Sequence, residues 1–200
     1  MFEISQILFW IANSLLIPDI ILLILLFLRA LLYLGAFYNQ FTTRLKIKKK
    51  TDTLLWESEN IDIESVKDIL PPKDNSIYIK YLRKMTEREL NDGYIEFVLS
   101  NFENDAEKDL ITSKLLSKLG PVLGLIGTLI AMSPALVGLS TGDISGMAYN
   151  MQVVFATTVV GLIVSAIGLF TLHFKKRWYA NEVSDLEYLS QLLTEKQKQL

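Results

Sequence analysis

Residues 119–172 read LGPVLGLIGTLIAMSPALVGLSTGDISGMAYNMQVVFATTVVGLIVSAIGLFTL, with Asp143 as the only charged residue. The stretch holds two long apolar runs joined by a short polar turn. Each run exceeds the roughly 20 apolar residues that cross a bilayer, and neither has the polar face that a water-exposed helix requires. Small residues are frequent in both runs, which suits helices that pack closely within lipid. The stretch therefore predicts a membrane hairpin.

The composition excludes several classes of protein. Half of the 200 residues are apolar, and the formal net charge is only −2. With no cysteine and one histidine, the chain predicts no disulfide, no structural zinc site and no other metal or cofactor. Its basic residues flank the apolar runs and its pI is about 5.5, which argues against binding to nucleic acid.

A third apolar region precedes the hairpin. We predict a transmembrane helix at 18–40, and before it a short helix at 1–17 that lies on the outer face and ends at Pro18. Trp10 is a plausible interfacial anchor for that short helix. A secretory signal peptide is the alternative for 1–17, and it is disfavoured because no basic residue precedes the apolar run.

Two positions flank or interrupt the first span. Asp19 is expected to mark its outer boundary, whereas Arg29 is expected near mid-depth. An arginine at that depth either pairs with an acidic group of the assembly or extends to the cytoplasmic headgroups, and the second interpretation is favoured.

Basic residues set the predicted orientation. Residues 41–50 contain five of them and no acid, and others flank the hairpin at its two ends. Because basic residues flank cytoplasmic ends, the N-terminus is predicted outside and the C-terminus inside, after three crossings. The remaining predicted segments are a cytoplasmic helical segment at 41–114, transmembrane helices at 115–141 and 147–174, and a cytoplasmic C-terminal helix at 175–200.

The cytoplasmic segments are predicted to be helical. Pro71-Pro72 divides the first of them, and Thr86 with Glu89 resembles a capping box at the start of a helix that runs into the second span. The acidic residues of that helix are expected to form a solvated face. His173, at the end of the third span, is more often passive than a proton relay in such a position. The fold class is thus an all-α membrane protein with long cytoplasmic helical extensions.

The hairpin carries small and hydroxyl-bearing residues at helical spacing. Packing between helices is one interpretation, and lining of a polar crevice is the other; the two have about even odds for any single hydroxyl. Because a hydroxyl does not titrate near neutral pH, a proton path here needs a carboxylate from a second polypeptide. Small residues form a stripe on the second span, beside Thr128; the stripe comprises Gly124, Gly127, Ala131, Ala135 and Gly138. The third span has two neighbouring faces of this kind. One comprises Asn150, Thr157, Gly161 and Gly168, and the other comprises Thr158 and Ser165.

Two motifs carry a resemblance to a known family. GPVLGLIGT at 120–128 and ATTVVGLIVSA at 156–166 resemble the MotA/TolQ/ExbB proton-channel family, especially its TolQ/ExbB branch. The order of the predicted segments is similar to that family as well. The matching positions are Gly120, Pro121, Gly124, Leu125, Gly127 and Thr128 in the second span, and Thr158, Gly161 and Leu162 in the third.

The resemblance implies a homopentamer in the inner membrane, around a largely apolar lumen. That lumen would hold two single-span helices of an ExbD/TolR-like partner, whose Asp accepts the proton. Proton flow would then drive rotation and deliver work to a third component. By position, Thr128 and Thr158 would line the proton path, and Thr157 is added because it adjoins them. Pro121, Gly124, Gly127 and Gly161 would shape the seams between subunits, and Ser165 would assist helix packing.

One position departs from the family pattern. ExbB has a Glu about five residues before the third-span Thr, and this chain has Val153 there with Gln152 beside it. Asn150 and Gln152 are therefore the candidates for a polar lumen. A structural scaffold without ion conduction is the alternative function, and a stand-alone channel is less favoured. An enzyme is not expected, because the sequence offers no nucleophile and base in a pocket.

Overall fold

The described part of the chain is entirely helical. A computed structural model describes residues 2–57, 66, 76–88 and 90–197, and within them no strand occurs. Its four helices are α1 (Phe2–Glu57), α2 (Ile77–Glu87), α3 (Asp92–Thr141) and α4 (Ile144–Gln197). The all-α prediction is confirmed.

Three of these helices are long and apolar enough to cross a membrane. The candidate spans lie within Gln6–Lys49, Asp92–Thr141 and Ile144–Gln197. This agrees with the predicted number of crossings and with a multi-pass membrane protein. Two sequence features, Pro71-Pro72 and Glu89, lie outside the described residues.

The first helix differs from its prediction at Pro18. Instead of a short helix that ends there, α1 continues through Pro18 without interruption. Proline lacks an N–H group, so it removes one hydrogen bond of the helix, but its fixed φ is compatible with helical geometry. Transmembrane helices tolerate this loss. The position of 1–17 on the outer face stays a prediction.

The third helix begins later than predicted. Asn91 precedes its first residue, and the Asn91 Oδ1 atom accepts a hydrogen bond from the backbone N–H of Tyr94 at 2.8 Å. Thr86 instead lies in the last turn of α2, where its hydroxyl donates to the Arg83 carbonyl at 2.9 Å. The prediction of a capping box at Thr86 is therefore wrong, since its hydroxyl is used inside the preceding helix. The prediction that the next helix continues into the second span is confirmed.

The chain forms two compact units, which we describe separately. The membrane unit comprises Met1–Ala36 and Thr112–Leu172, and the charged unit comprises Phe37–Ile111 and His173–Leu200.

In the membrane unit, α1 packs against both helices of the hairpin. Ala30 is fully buried in a cluster with Leu116 of α3 and Val164 of α4. Leu116 lies two residues before Lys118, after which the second apolar run begins. Arg29 directly precedes Ala30 on α1 and its side chain is exposed in the single chain, and its depth in the membrane stays a prediction.

In the charged unit, aromatic rings and ion pairs join the helices. The Phe102 ring lies against Tyr81 and Tyr179 in edge-to-face contacts. Asp109 accepts hydrogen bonds from Lys175 at 2.7 Å and from Tyr179 at 2.6 Å. Arg44 pairs with Glu182 and also stacks over the rings of Trp178 and Tyr179, at 5.0 and 4.7 Å from their centroids. These contacts give the unit a polar as well as an apolar core.

Asp105, in the charged part of α3, is not simply part of a solvated face. Its Oδ2 atom accepts hydrogen bonds from the Lys80 ammonium at 3.0 Å and from the Tyr81 hydroxyl at 2.8 Å. These two bonds, the Lys80 bond first, lower the pKa of Asp105 from its ordinary value to about 2.

These contacts predict an acid-sensitive stabilisation by Asp105. Because its folded pKa lies below the unfolded value of about 4, the stabilisation is present above that value and is lost as the pH falls toward about 2. We expect Asp105→Asn to unfold at a lower temperature than wild type near neutral pH. The difference between the two unfolding temperatures should decrease as the pH falls. Circular dichroism of the detergent-solubilised proteins measures the unfolding temperatures of wild type and variant at each pH. A difference in unfolding temperature that stays constant with pH contradicts the prediction.

Candidate functional site

The second and third spans touch backbone to backbone. We call the contact the glycine seam, formed by Gly120, Gly124, Gly127, Gly161 and Gly168. A Cβ atom on Gly161 would lie 2.5 Å from the Gly120 carbonyl oxygen and 3.0 Å from the Gly124 Cα atom, and a Cβ on Gly168 would collide with the backbone N of Ser117. No side chain fits in these gaps, so glycine is required for α3 and α4 to approach this closely.

The predicted stripe of small residues on α3 is buried along its whole length. Its contacts with α4 recur every three or four residues, as expected for antiparallel helices. The glycines lie between two helices of one chain, and a role at seams between subunits stays a prediction. The buried members are Gly124, Gly127, Ala131, Ala135 and Gly138.

Pro121 and Ser165 form one local arrangement across the seam. Pro121 lies inside α3 and has no N–H, so the carbonyl of Ser117 loses its partner within the helix. The Ser165 hydroxyl of α4 donates a hydrogen bond to that carbonyl at 3.0 Å. The hydroxyl thus satisfies a group that the proline leaves unpaired, which is a more specific role than the general packing expected from the sequence.

The three candidate threonines bond to their own helix. Thr128 donates to the Leu125 carbonyl at 2.7 Å, and Thr158 donates to the Val154 carbonyl at 3.0 Å. Both side chains are half-buried, whereas Thr157 is buried and donates within α4. The hydroxyl oxygens can still accept hydrogen bonds.

The structure places the threonines at different parts of the seam. Thr157 packs against Gly127, and the Cα atom of Thr158 would lie 3.5 Å from a Cβ on Gly124. Thr128 follows Gly127 directly on α3. The glycine seam therefore brings the threonine-bearing segments of α3 and α4 together, and their role in a proton path stays a prediction.

The two candidates for a polar lumen lie near the start of α4. Asn150 is half-buried, and its amide donates to the Gly146 carbonyl at 2.9 Å. Gln152 is exposed. Asp143 stands just before α4, where its Oδ1 atom accepts a hydrogen bond from the Gly146 N–H at 2.9 Å. A lumen-facing role for the two amides remains a prediction.

Sequence reasoning missed Asp19. It was expected outside the first span, but its side chain is buried at 7% exposure, and its Oδ2 atom has no hydrogen-bond partner among the described residues. Helical periodicity would have revealed it, because Asp19 lies four residues before Leu23 and eleven before Ala30, and these three residues share the buried face of α1. Its Oδ2 atom lies beside Gly127, against which Thr157 also packs.

Among the described residues, no cluster of three or more His, Cys, Asp or Glu side chains has the arrangement of a metal site. In the part of the chain that the structure describes, the buried polar side chains of the membrane unit are the carboxyl of Asp19 and the hydroxyls of Ser113, Thr157, Ser165 and Thr171.

These features define a class of protein and then a family. The chain is a helical, three-span membrane protein whose inner two spans pack through glycine. A family model described as the MotA/TolQ/ExbB proton channel family matches residues 72–188, more than half of the chain, and the chain belongs to this family. The family consists of channels rather than enzymes and works with partner proteins in a complex. No curated protein and no solved structure gives a significant match.

The glycine seam predicts a large difference between two glycine-to-alanine substitutions. Gly161→Ala forces a methyl group into the backbone of α3 and should cost about 1–3 kcal/mol of stability. Gly35→Ala, also inside a helix of the membrane unit, meets nothing within 4 Å and is the matched control. Thermal unfolding in detergent measures both, and equal effects would contradict the backbone contact.

The Ser165 bond predicts energetic coupling to Pro121. Ser165→Ala leaves the Ser117 carbonyl unpaired and should destabilise the chain by about 1 kcal/mol. In a Pro121→Ala background the restored N–H can bond that carbonyl, so the same change should cost clearly less. A double-mutant cycle measured by thermal unfolding tests this, and additive effects would show that the two residues act independently.

Proposed function

We propose that this chain is an ExbB/TolQ-like subunit of a membrane motor driven by ion-motive force. With an ExbD/TolR-like partner that spans the membrane once and carries an Asp, it forms a proton pathway that powers work on a third component. The chain acts as a homopentamer in the inner membrane, with its N-terminus outside and its C-terminus in the cytoplasm. The observation that carries the proposal is the family match, which covers both helices of the glycine seam.

The polar groups of the two inner spans suit a path completed by a partner. Between Lys118 and Asp143 on α3 no residue is charged, and none is charged from Ile144 to Leu172 on α4. Thr128 and Thr158 supply hydroxyl oxygens that can accept hydrogen bonds but do not titrate near neutral pH. A carboxyl on the partner's helix, opposite these hydroxyls, would supply the group that takes up and releases the proton.

The surface around these threonines supports assembly with other helices. Large apolar side chains flank Thr128 and Thr158 and are more than half exposed in the single chain. Such a surface requires lipid, further copies of the chain or a partner's helix to cover it. The flanking residues are Leu125 and Leu129 on α3 and Phe155 and Leu162 on α4.

A structural oligomeric scaffold is the second candidate function. It is favoured by one observation, that the hydroxyls of Thr128, Thr157 and Thr158 all donate to carbonyls of their own helix. A hydroxyl with this bond can serve packing alone. The two candidates differ in whether protons cross the membrane.

Substitution of Thr158 by Val separates the two functions. Valine has a similar shape but no oxygen, so we expect partner-dependent proton flux to fall about tenfold or more, while assembly is retained. Flux is measured with a pH-sensitive dye in membrane vesicles that contain the chain and its partner. Assembly is measured by native mass spectrometry.

The matched control is Thr141→Val, which removes a hydroxyl bonded to its own helix at the far end of α3 and should leave flux unchanged. Wild-type flux in Thr158→Val would remove Thr158 from the path. Absence of partner-dependent flux in the wild type would favour the scaffold.

A further inference from the structure

The buried carboxyl of Asp19 has no role in the function proposed so far. It lies on α1, is 7% exposed and carries an Oδ2 atom without a hydrogen-bond partner in the described part of the chain. An unpaired polar group at this degree of burial costs free energy. Such a group in a membrane unit is retained more readily when it has a function.

The carboxyl lies beside Gly127, against which Thr157 also packs. A Cβ atom on Gly127 would lie 2.9 Å from the Asp19 Oδ2 atom and 3.0 Å from the Thr157 methyl group. The Thr157 hydroxyl donates to the carbonyls of Val153 and Val154 on its own helix. The Oδ2 atom therefore lies beside the backbone of Gly127, and the Thr157 methyl group packs against the same glycine. Only glycine at 127 leaves room for it.

Among the described side chains of the membrane unit, no charged group lies beside Asp19. The two helices packed against it carry no charge between Lys118 and Asp143, nor between Ile144 and Leu172, and both Gly127 and Thr157 lie well inside these runs. On α1 itself the next charge is Arg29, about 15 Å further along the helix and exposed. An ionised carboxylate in this place would have no counter-charge, so uptake of a proton is the way to neutralise it.

Asp19 is also close to the path assigned to the threonines. Gly127 lies beside it and directly precedes Thr128, and Thr157 packs against the same glycine and directly precedes Thr158. We propose that the buried Asp19 carboxyl beside Gly127 binds and releases the protons that cross the assembly. The proposal rests on the proposed function for its link to proton flux. It adds a titrating group supplied by this chain to the one supplied by the partner.

The chemical step is a proton transfer. A proton from a hydronium ion that reaches the site forms an O–H bond on Oδ2 and leaves a water molecule. Release of the proton to another water restores the carboxylate. A structural alternative is that Asp19 serves only as a polar group of the right size, a role that asparagine can fill because it has the same shape but does not titrate.

Carbodiimide labelling tests proton binding directly on the wild-type chain. Dicyclohexylcarbodiimide reacts with protonated carboxyls in apolar surroundings, and peptide mass spectrometry locates the adduct. We expect modification of Asp19 that decreases as the pH rises from about 5 to about 9, and none of the exposed Asp143 in the turn. An unmodified Asp19, or modification that does not change with pH, overturns the proposal. This measurement needs no variant that could fail to fold.

Proton flux in vesicles tests the role in transport. We expect Asp19→Asn to lower flux about tenfold or more with assembly retained, and Asp143→Asn to leave it at the wild-type level. Wild-type flux in Asp19→Asn, together with lost flux in Thr158→Val, overturns the role of Asp19 and leaves the proposed function standing. Wild-type flux in both variants overturns both. If Asp19→Asn fails to assemble, the labelling result decides.

Discussion

Contact between the backbones of α3 and α4 is the constraint on which the membrane unit depends. Lipid provides no hydrophobic drive for helices to associate, so their attraction comes from close packing and from hydrogen bonds. Gly120 and Gly161 allow that approach, since each leaves space for the carbonyl oxygen of the other. Ser165 adds a hydrogen bond across the seam at the point where Pro121 leaves a carbonyl free.

Closure of this seam within one chain has consequences for the rest of the protein. The small residues of α3 are used inside the chain, and the large apolar residues on the other faces remain exposed. Those faces, with Thr128 and Thr158 at their edges, are the surface available to lipid, to further copies and to a partner. The same packing brings α1 against the hairpin and buries Asp19 beside Gly127.

Sequence reasoning recovered the features that depend on hydropathy and periodicity. The uncharged runs on both sides of Asp143 predict the two helices of the hairpin. The spacing of Gly124, Gly127 and Ala131 predicts which face of α3 is buried. It did not find which helix this face meets. Small residues permit close approach to any neighbour, within a chain or between chains, and only the fold selects one.

The errors have physical causes of the same kind. Pro18 predicts a break between a short surface helix and the first span, and Asp19 predicts the outer boundary of that span, yet α1 continues through Pro18 and Asp19 is buried against the hairpin. The start of α3 was displaced because Thr86 bonds inside α2.

The most direct test of the account is to determine which chain closes the seam. Ser113 and Thr171 face each other across α3 and α4, with their hydroxyl oxygens 3.2 Å apart, and the chain has no cysteine of its own. Ser113→Cys combined with Thr171→Cys should form a disulfide on mild oxidation, since the two positions are within reach of one. The account predicts a bond within a single chain, seen by mass spectrometry of cross-linked peptides from mixed isotope-labelled and unlabelled chains. Cross-links that join labelled to unlabelled chains would contradict it.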